Sequence, residues 1–100
     1  MAREILPVDP LILHLPPERH DGADPFKLGM QYARHGDDLE GMPLIEVARD
    51  GQGQLVIQDG VTRATRAAQV APGQSLSVEV IEENPYADFR SLPTIGDRLP

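Results

Sequence analysis

The sequence predicts a small α+β domain in which two main helices pack on a mixed, mainly antiparallel sheet of about four strands. Three observations lead to this prediction. The chain has 100 residues, which suffices for one domain with a single core. Two apolar runs separated by a short Gly-rich turn predict a β-hairpin. Two further segments have the start and stop signals of helices and alternate with predicted strands.

The N-terminal residues predict an edge strand. Residues 5–8 and 11–13 are apolar, but Pro7 and Pro10 interrupt them. Because proline cannot donate a hydrogen bond to a neighbouring strand, it is found mainly on edge strands and at strand starts. We therefore expect this segment to be an edge strand or an extended arm.

The first helix is predicted over residues 25–35. The pair Asp24-Pro25 is typical of a helix start, because aspartate caps the first turn and proline suits the first helical position. Gly36 provides the left-handed residue that commonly ends a helix. Between these limits, apolar side chains recur at helical spacing at Phe26, Met30 and Ala33.

The remaining elements follow in order along the chain. Residues 43–48 and 54–58 are the two apolar runs of the predicted hairpin. The Ala-rich segment 61–71 predicts the second helix, which Pro72-Gly73 would end. Residues 76–81 alternate apolar and polar side chains, as a strand with one buried face does.

The C-terminal sixth of the chain is predicted to be an extension of the domain. Residues 1–84 form the predicted domain, and residues 85–100 are Pro-rich. Tyr86, Phe89 and Leu92 could form one amphipathic turn against the core. The last ten residues are expected to be a tail, because their prolines leave little room for a regular element.

Charge and composition limit the partners and the compartment. The formal net charge of −7 disfavours direct nucleic-acid binding through general phosphate attraction, so any anion site must be local. The chain has no cysteine, which excludes thiol catalysis and zinc–cysteine sites. We expect a cytoplasmic protein with no membrane partner, since no signal-peptide run and no membrane-length apolar stretch is present.

The turn before the second helix contains the residues with the most chemistry. A buried strand runs into Asp59-Gly60 and then into a helix, and the amide hydrogens at a helix start attract anions. Gly60 lets a phosphate approach the backbone, and Thr62 adds a hydroxyl. Arg63 and Arg66 lie three residues apart on one helical face, so both could reach the same anion.

A purely structural interpretation of the same turn stays open. Asp59 could cap the helix, and Gly60 could simply allow the turn. The two arginines would then pair with carboxylates of the neighbouring strands, at Glu46, Glu79 or Glu82.

The order of elements resembles the ParB N-terminal and sulfiredoxin-like superfamily over about four fifths of the chain. The sequence Asp59-Gly60-x-x-Arg63, leading into an Ala-containing helix, resembles that family's phosphate-binding box. Val8-Asp9-Pro10 resembles its opening strand. The resemblance implies a fold that holds a nucleotide phosphate between the Gly60 amides and Arg63. It also implies that Arg19 lies in a loop that approaches the phosphate.

The chain also departs from that family. Sulfiredoxins have a catalytic cysteine directly after the glycine, where this chain has Val61, so sulfiredoxin chemistry is excluded. These residues contain no counterpart of the DNA-reading helix-turn-helix domain or the dimerisation region of partition proteins. We therefore expect no chromosome-partitioning role for this chain alone.

Three functions are compatible with these residues. The first is a ParB-like nucleotide- or phosphate-binding module, whose cofactor candidate is a nucleotide with magnesium held through Asp59. The second is an acidic protein-interaction adaptor without a ligand, such as a phage protein or a partner that neutralises a toxin. The third is a phosphotransferase or nuclease-like enzyme, for which the sequence identifies no catalytic residues. The three histidines lack metal-ligand spacing, so no protein metal site is predicted.

Overall fold

The structure is a computed structural model that describes residues 4–99. Within that range, four strands and two α-helices confirm the predicted α+β class. The strands are β1 (Glu4–Val8), β2 (Ile45–Asp50), β3 (Leu55–Asp59) and β4 (Leu76–Asn84). The helices are α1 (Pro25–His35) and α2 (Val61–Val70), and single 3₁₀ turns cover Pro10–Ile12, Pro17–Arg19 and Gly96–Arg98.

The sheet is mixed and mainly antiparallel, as predicted. The strands lie in the order β1-β4-β2-β3. β1 pairs with β4 and β2 pairs with β3 in antiparallel fashion, whereas β2 and β4 are parallel. Parallel strands need a crossover, which β3 and α2 provide here. β1 is an edge strand, which confirms the interpretation of its prolines.

The turn from β3 into α2 lies directly against the core. α2 buries a row of alanines, and β2 contributes three fully buried apolar side chains, Ile45, Val47 and Ala48. Small side chains on α2 allow the helix to lie close to the sheet. The core cluster also contains Ala64 and Ala68 of α2, Leu55 and Ile57 of β3, and Val78 and Val80 of β4.

Helix α1 has the predicted bounds and the predicted caps. The Asp24 carboxylate accepts a hydrogen bond from the Phe26 N–H at 2.9 Å, and Gly36 has a φ of +56°. No residue of α1 is fully buried. The helix is held against α2 partly by the Tyr32 hydroxyl, which donates to Gln69 Oε1 at 2.7 Å. The apolar side chains of Phe26 and Met30 face outward and are 75% and 40% exposed.

The structure corrects the prediction for residues 11–13. They form no strand, because a 3₁₀ turn covers Pro10–Ile12 and the Asp9 carboxylate caps it by accepting from the Leu11 N–H at 3.0 Å. The chain is extended again from Leu13, and His14 forms an isolated bridge with Val56 of β3. The His14 N–H donates to Leu55 O at 2.9 Å and therefore covers the outer edge of β3.

The prediction that the last ten residues form a tail was wrong. Ile95 is 2% exposed and belongs to the core. Its N–H donates to Leu13 O at 2.9 Å, and the Leu15 N–H donates to Pro93 O at 2.7 Å. Ile95 stands between two prolines without a repeating pattern of apolar residues, so the sequence gives no sign that it is buried. Its position depends on these long-range hydrogen bonds. The boundary after residue 84 stays a prediction.

Asp50 ties the hairpin turn to the segment that follows β4. Its carboxylate is 5% exposed and accepts from the N–H groups of Gln52 and Gln54 in the turn, at 2.9 and 2.8 Å. It also accepts from the Phe89 N–H at 2.8 Å. Burial raises the pKa of this carboxyl, but the three N–H donors outweigh burial and hold the pKa below its ordinary value of 3.8.

No helix within residues 4–99 is both long enough and apolar enough to cross a membrane.

The buried position of Ile95 leads to a stability prediction. Ile95→Ala should lower the free energy of unfolding by about 2–5 kcal/mol, because it leaves a cavity in the core. Ile12→Ala is the matched control, since Ile12 is 61% exposed and should change stability by less than about 0.5 kcal/mol. Urea denaturation measures both. Equal effects of the two substitutions would show that residues 93–99 do not pack on the core.

The hydrogen bonds of Asp50 lead to a pH prediction. The carboxylate has a lower pKa in the folded chain than in the unfolded chain, so it stabilises the fold above pH 3.8 and loses this effect as the pH falls further. Asp50→Asn should lower the Tm at neutral pH by several degrees. Between roughly pH 5 and pH 2 the variant should lose less stability than the unmodified chain. Asp37→Asn, in an exposed loop, is the matched control and should leave the Tm at neutral pH unchanged.

Candidate functional site

A cleft of about 500 Å³ opens at the start of α2. Its walls are the end of β3, the first turn of α2, one face of α1 and the 3₁₀ turn at Pro17–Arg19. This volume is within the range of small-molecule sites, which is roughly 300–1,000 Å³. The bend after Gln58 is therefore open to solvent rather than closed over by the chain.

Five of the six residues predicted to bind phosphate line this cleft. They are Arg19, Asp59, Gly60, Thr62 and Arg63. Arg19 comes from the turn that precedes α1, and the others come from the junction of β3 and α2. The structure thus brings together residues that are 40 positions apart in the sequence, whereas their binding role stays a prediction.

Arg66, the sixth predicted residue, lies outside the cleft. It is 1% exposed, and its Nη1 donates to Gly36 O at 3.0 Å and to Asp38 O at 2.8 Å. Its Nη2 contacts Met42 Sδ at 3.8 Å. Arg66 and Arg63 lie on the same side of α2, but the loop that follows α1 covers Arg66 and leaves Arg63 at the cleft. The side chain therefore fixes the end of α1 to α2.

Gly60 is required by both the backbone and the space around it. Its φ is +114°, a left-handed conformation that residues with a side chain rarely adopt. A Cβ at this position would lie 2.8 Å from Ile45 Cδ1 and 2.9 Å from Arg63 Nη2. The glycine therefore allows α2 to begin directly over the core, with Arg63 folded back across the turn.

The first turn of α2 leaves its N–H groups without acceptors. Ala64 is the first residue of α2 with an intrahelical bond, since its N–H donates to Gly60 O at 2.8 Å. Within residues 4–99, the N–H groups of Val61, Thr62 and Arg63 donate to no acceptor, and no side chain of the cap residue replaces one. Unpaired amides at a helix start give it a partial positive charge.

Arg63 is the best-placed cation of the cleft. Its side chain is 19% exposed, and its Nη2 donates to Leu44 O at 3.1 Å and to Asp59 Oδ2 at 3.4 Å. The contact with Asp59 is long, and the Asp59 side chain is 67% exposed, so the pair is weak. Asp59 therefore bonds the arginine rather than capping α2. Within the described chain, Nη1 makes no hydrogen bond and remains accessible to solvent.

Three further cations in the cleft have no partner. Arg19, Lys27 and Arg34 line it, and their side chains make no hydrogen bond or ion pair within residues 4–99. With Arg63 they are four of the nine Lys and Arg residues of the chain. The carboxylates in the cleft are those of Glu18 and Asp59.

The charge of the cleft is thus opposite to that of the rest of the chain. Four cations and two carboxylates line it, which leaves 14 carboxylates and five Lys or Arg residues elsewhere. Unpaired cations in a concave site attract anions more strongly than scattered surface charges do. The structure therefore concentrates positive charge at one opening, whereas anion binding there stays a prediction.

The sequence analysis missed the contribution of α1. Lys27 and Arg34 lie seven residues apart, and Met30 and Gln31 lie between them on the same side of the helix. Two turns of an α-helix span seven residues, so these positions share a face. The seven-residue spacing of Lys27 and Arg34, with Lys27 as the single lysine of the chain, is the sequence signal that could have identified α1 as a wall of the cleft.

A magnesium ion fits this cleft only together with a bound phosphate. Within residues 4–99, no three His, Cys, Asp or Glu side chains converge as metal ligands. Mg²⁺ commonly uses one or two protein carboxylates and takes its other ligands from phosphate oxygens and water. Asp59, at the mouth of the cleft, can supply one such carboxylate.

Comparisons with known proteins identify no relative. No family model, no curated protein and no solved structure matches this chain. The resemblance to ParB and sulfiredoxin-like domains therefore stays a prediction. The structure shows the fold class, a mixed four-stranded sheet with two helices, and not membership of a family.

The tight surroundings of Gly60 lead to a prediction about stability. Gly60→Ala should cost roughly 1–3 kcal/mol of unfolding free energy, because the new Cβ meets Ile45 and the backbone is strained. Gly29→Ala is the matched control. Gly29 is inside α1 with nothing within 4 Å of its would-be Cβ, so alanine there should raise stability by about 0.5–1 kcal/mol. If Gly60→Ala did not lower the free energy of unfolding, this result would contradict the geometry of the turn.

Proposed function

We propose that this chain binds a small phosphate-bearing ligand, such as a nucleotide, in the cleft at the start of α2. The observation that supports this best is the gathering of four of the nine Lys and Arg residues around one opening of an otherwise acidic chain. Three of these four have no partner among the described residues. An anion in the cleft would relieve their mutual repulsion.

The donors of the cleft suit phosphoryl oxygens. Val61, Thr62 and Arg63 line the cleft at the start of α2, where the unpaired N–H groups of a helix favour negative charge. Thr62 also carries a hydroxyl. The free Nη1 of Arg63 adds a charged donor beside them. Hydrogen bonds between a guanidinium and a phosphate are stronger than bonds between neutral groups, so Arg63 should contribute most among the side chains.

The distribution of charge favours a small ligand over a nucleic acid. A polynucleotide would extend beyond the cleft toward the rest of the chain, which has 14 carboxylates against five Lys or Arg residues. Such an excess of carboxylates repels a phosphate backbone. A ligand that fits within about 500 Å³ meets a lining of four cations and two carboxylates instead.

Binding is favoured here over phosphoryl transfer. An enzyme that transfers a phosphoryl group positions a base and, usually, metal-binding carboxylates around the reacting atoms. The cleft offers Glu18 and Asp59, and Asp59 already contacts Arg63. The adaptor function is not supported by a specific contact in the structure, and the test below separates it from ligand binding.

Thermal unfolding with pyrophosphate, ADP and ATP, each with and without Mg²⁺, tests the proposal. A ligand at about 100 times its Kd should stabilise the fold by roughly 2.7 kcal/mol. Arg63→Ala should weaken binding at least about tenfold, because it removes a charge-assisted hydrogen bond. Arg90→Ala is the matched control, since Arg90 pairs with Asp88 outside the cleft.

Asp59→Asn refines the same test. This substitution removes a negative charge beside Arg63, so pyrophosphate without Mg²⁺ should bind more tightly by a few-fold. The proposal fails if millimolar phosphates and nucleotides give no thermal shift. Isolation of one stable basic protein partner in that case would favour the adaptor function.

A further inference from the structure

An exposed apolar stripe continues the rim of the cleft along α1. Phe26, Met30 and Ala33 follow at helical spacing, and all three are exposed. Phe26 is 75% exposed, which is unusual for an aromatic residue of a helix that also packs on the domain. The side of α1 that faces α2 is different, because it presents Tyr32 to Gln69. The stripe is therefore a second apolar face, not used by the fold.

Two unpaired cations lie along one side of this stripe. An α-helix advances 100° per residue, which places Lys27 and Arg34 next to each other beside Met30. Neither side chain has a partner within residues 4–99. The exposed face of α1 is thus apolar along its centre and positively charged along one flank.

The other flank of the stripe is bare. Gly29 lies there, one turn before Ala33, and nothing comes within 4 Å of the position that a Cβ would occupy. Glycine inside a helix weakens it relative to alanine, and the free protein has room for a larger side chain. A glycine at such a position allows another backbone to approach closely.

We propose that this face of α1 docks an acidic amphipathic helix of a partner protein. A second helix packs its apolar ridge along a stripe of this spacing, over Phe26 and Met30. Its carboxylates then lie beside Lys27 and Arg34, and its backbone approaches over Gly29. Charge complementarity selects an acidic partner, because the flanking charges are all positive and unpaired.

A protein helix fits this face better than a nucleic acid does. The stripe offers apolar side chains, which an amphipathic helix can cover but with which a phosphate backbone forms no favourable contact. The docking face shares Lys27, Met30 and Arg34 with the cleft, whereas Phe26 and Gly29 do not line the cleft and Arg63 is not on α1. Substitutions at Phe26 or Gly29 therefore change only the docking face, and substitutions at Arg63 change only the cleft. Partner binding and phosphate binding can therefore be tested separately.

Selection from a displayed library of random 16-residue peptides tests the proposal without assuming a partner sequence. The full chain is the target. The enriched peptides should have a net negative charge and apolar residues at i, i+3 or i+4, and i+7. The best peptide, made synthetically, should shift the amide NMR signals of residues 26–34 when it binds.

Substitutions on α1 then locate the contact. Phe26→Ser and Gly29→Gln should each weaken binding of the synthetic peptide at least about tenfold. Phe26→Ser removes an aromatic anchor, and Gly29→Gln blocks the close approach of the peptide backbone. Tyr86→Ser is the matched control, because Tyr86 is 98% exposed in the segment after β4 and should have no effect. Arg34→Glu should weaken binding of the peptide. Replacing the glutamate of the peptide that faces residue 34 by lysine should restore this binding.

Several outcomes would overturn the proposal. They are the absence of enriched peptides, enrichment of basic peptides, and equal binding to the Phe26→Ser variant. Binding of single-stranded RNA through Phe26 and Lys27 would also overturn it. So would self-association that Phe26→Ser abolishes in sedimentation, since a second copy would then occupy the face. Pyrophosphate binding should be unchanged in Phe26→Ser, which separates a failure here from a failure of the phosphate site.

Discussion

The left-handed turn at Gly60 determines where the free amides of α2 and the Arg63 guanidinium lie. The turn has a φ of +114°, and Ile45 of the core lies against the position a Cβ would take. α2 must therefore start directly above the end of β3, with its first amides free. Arg63 folds back over the same turn and bonds Leu44 O, so the guanidinium and the amides share one opening. The helix that crosses over the sheet begins without a side-chain cap at one wall of the cleft.

Two further sets of hydrogen bonds hold the elements on either side of this turn together. Asp50 and His14 join the hairpin to the C-terminal segment through hydrogen bonds to main-chain and side-chain groups. On the other side, Arg66 bonds carbonyls at the end of α1 and sets the distance between α1 and α2. α1 contributes little to the core, yet it supplies half of the cations of the cleft. Its position is explained better by the surface it presents than by stability.

Local signals predicted most of the fold. The caps at Asp24 and Gly36 gave the bounds of α1, and alternation gave the start of β4. The burial of Ile95 depends on pairing with Leu13 across the whole chain, which no local pattern encodes. The same limit applies to the site. The turn at Gly60 was predictable from strand, glycine and helix, whereas Arg66 points under the α1 loop and Arg34 joins the cleft only through tertiary packing.

The most direct measurement of the central claim is an amide NMR titration with pyrophosphate. The free N–H groups of Val61, Thr62 and Arg63 should show the largest shifts, with smaller shifts along α1 near Lys27 and Arg34. Arg63→Ala should reduce these shifts at equal pyrophosphate concentration. Absence of saturable shifts at residues 61–63, or equal shifts over the acidic surface, would contradict a cleft assembled by the Gly60 turn to hold phosphate.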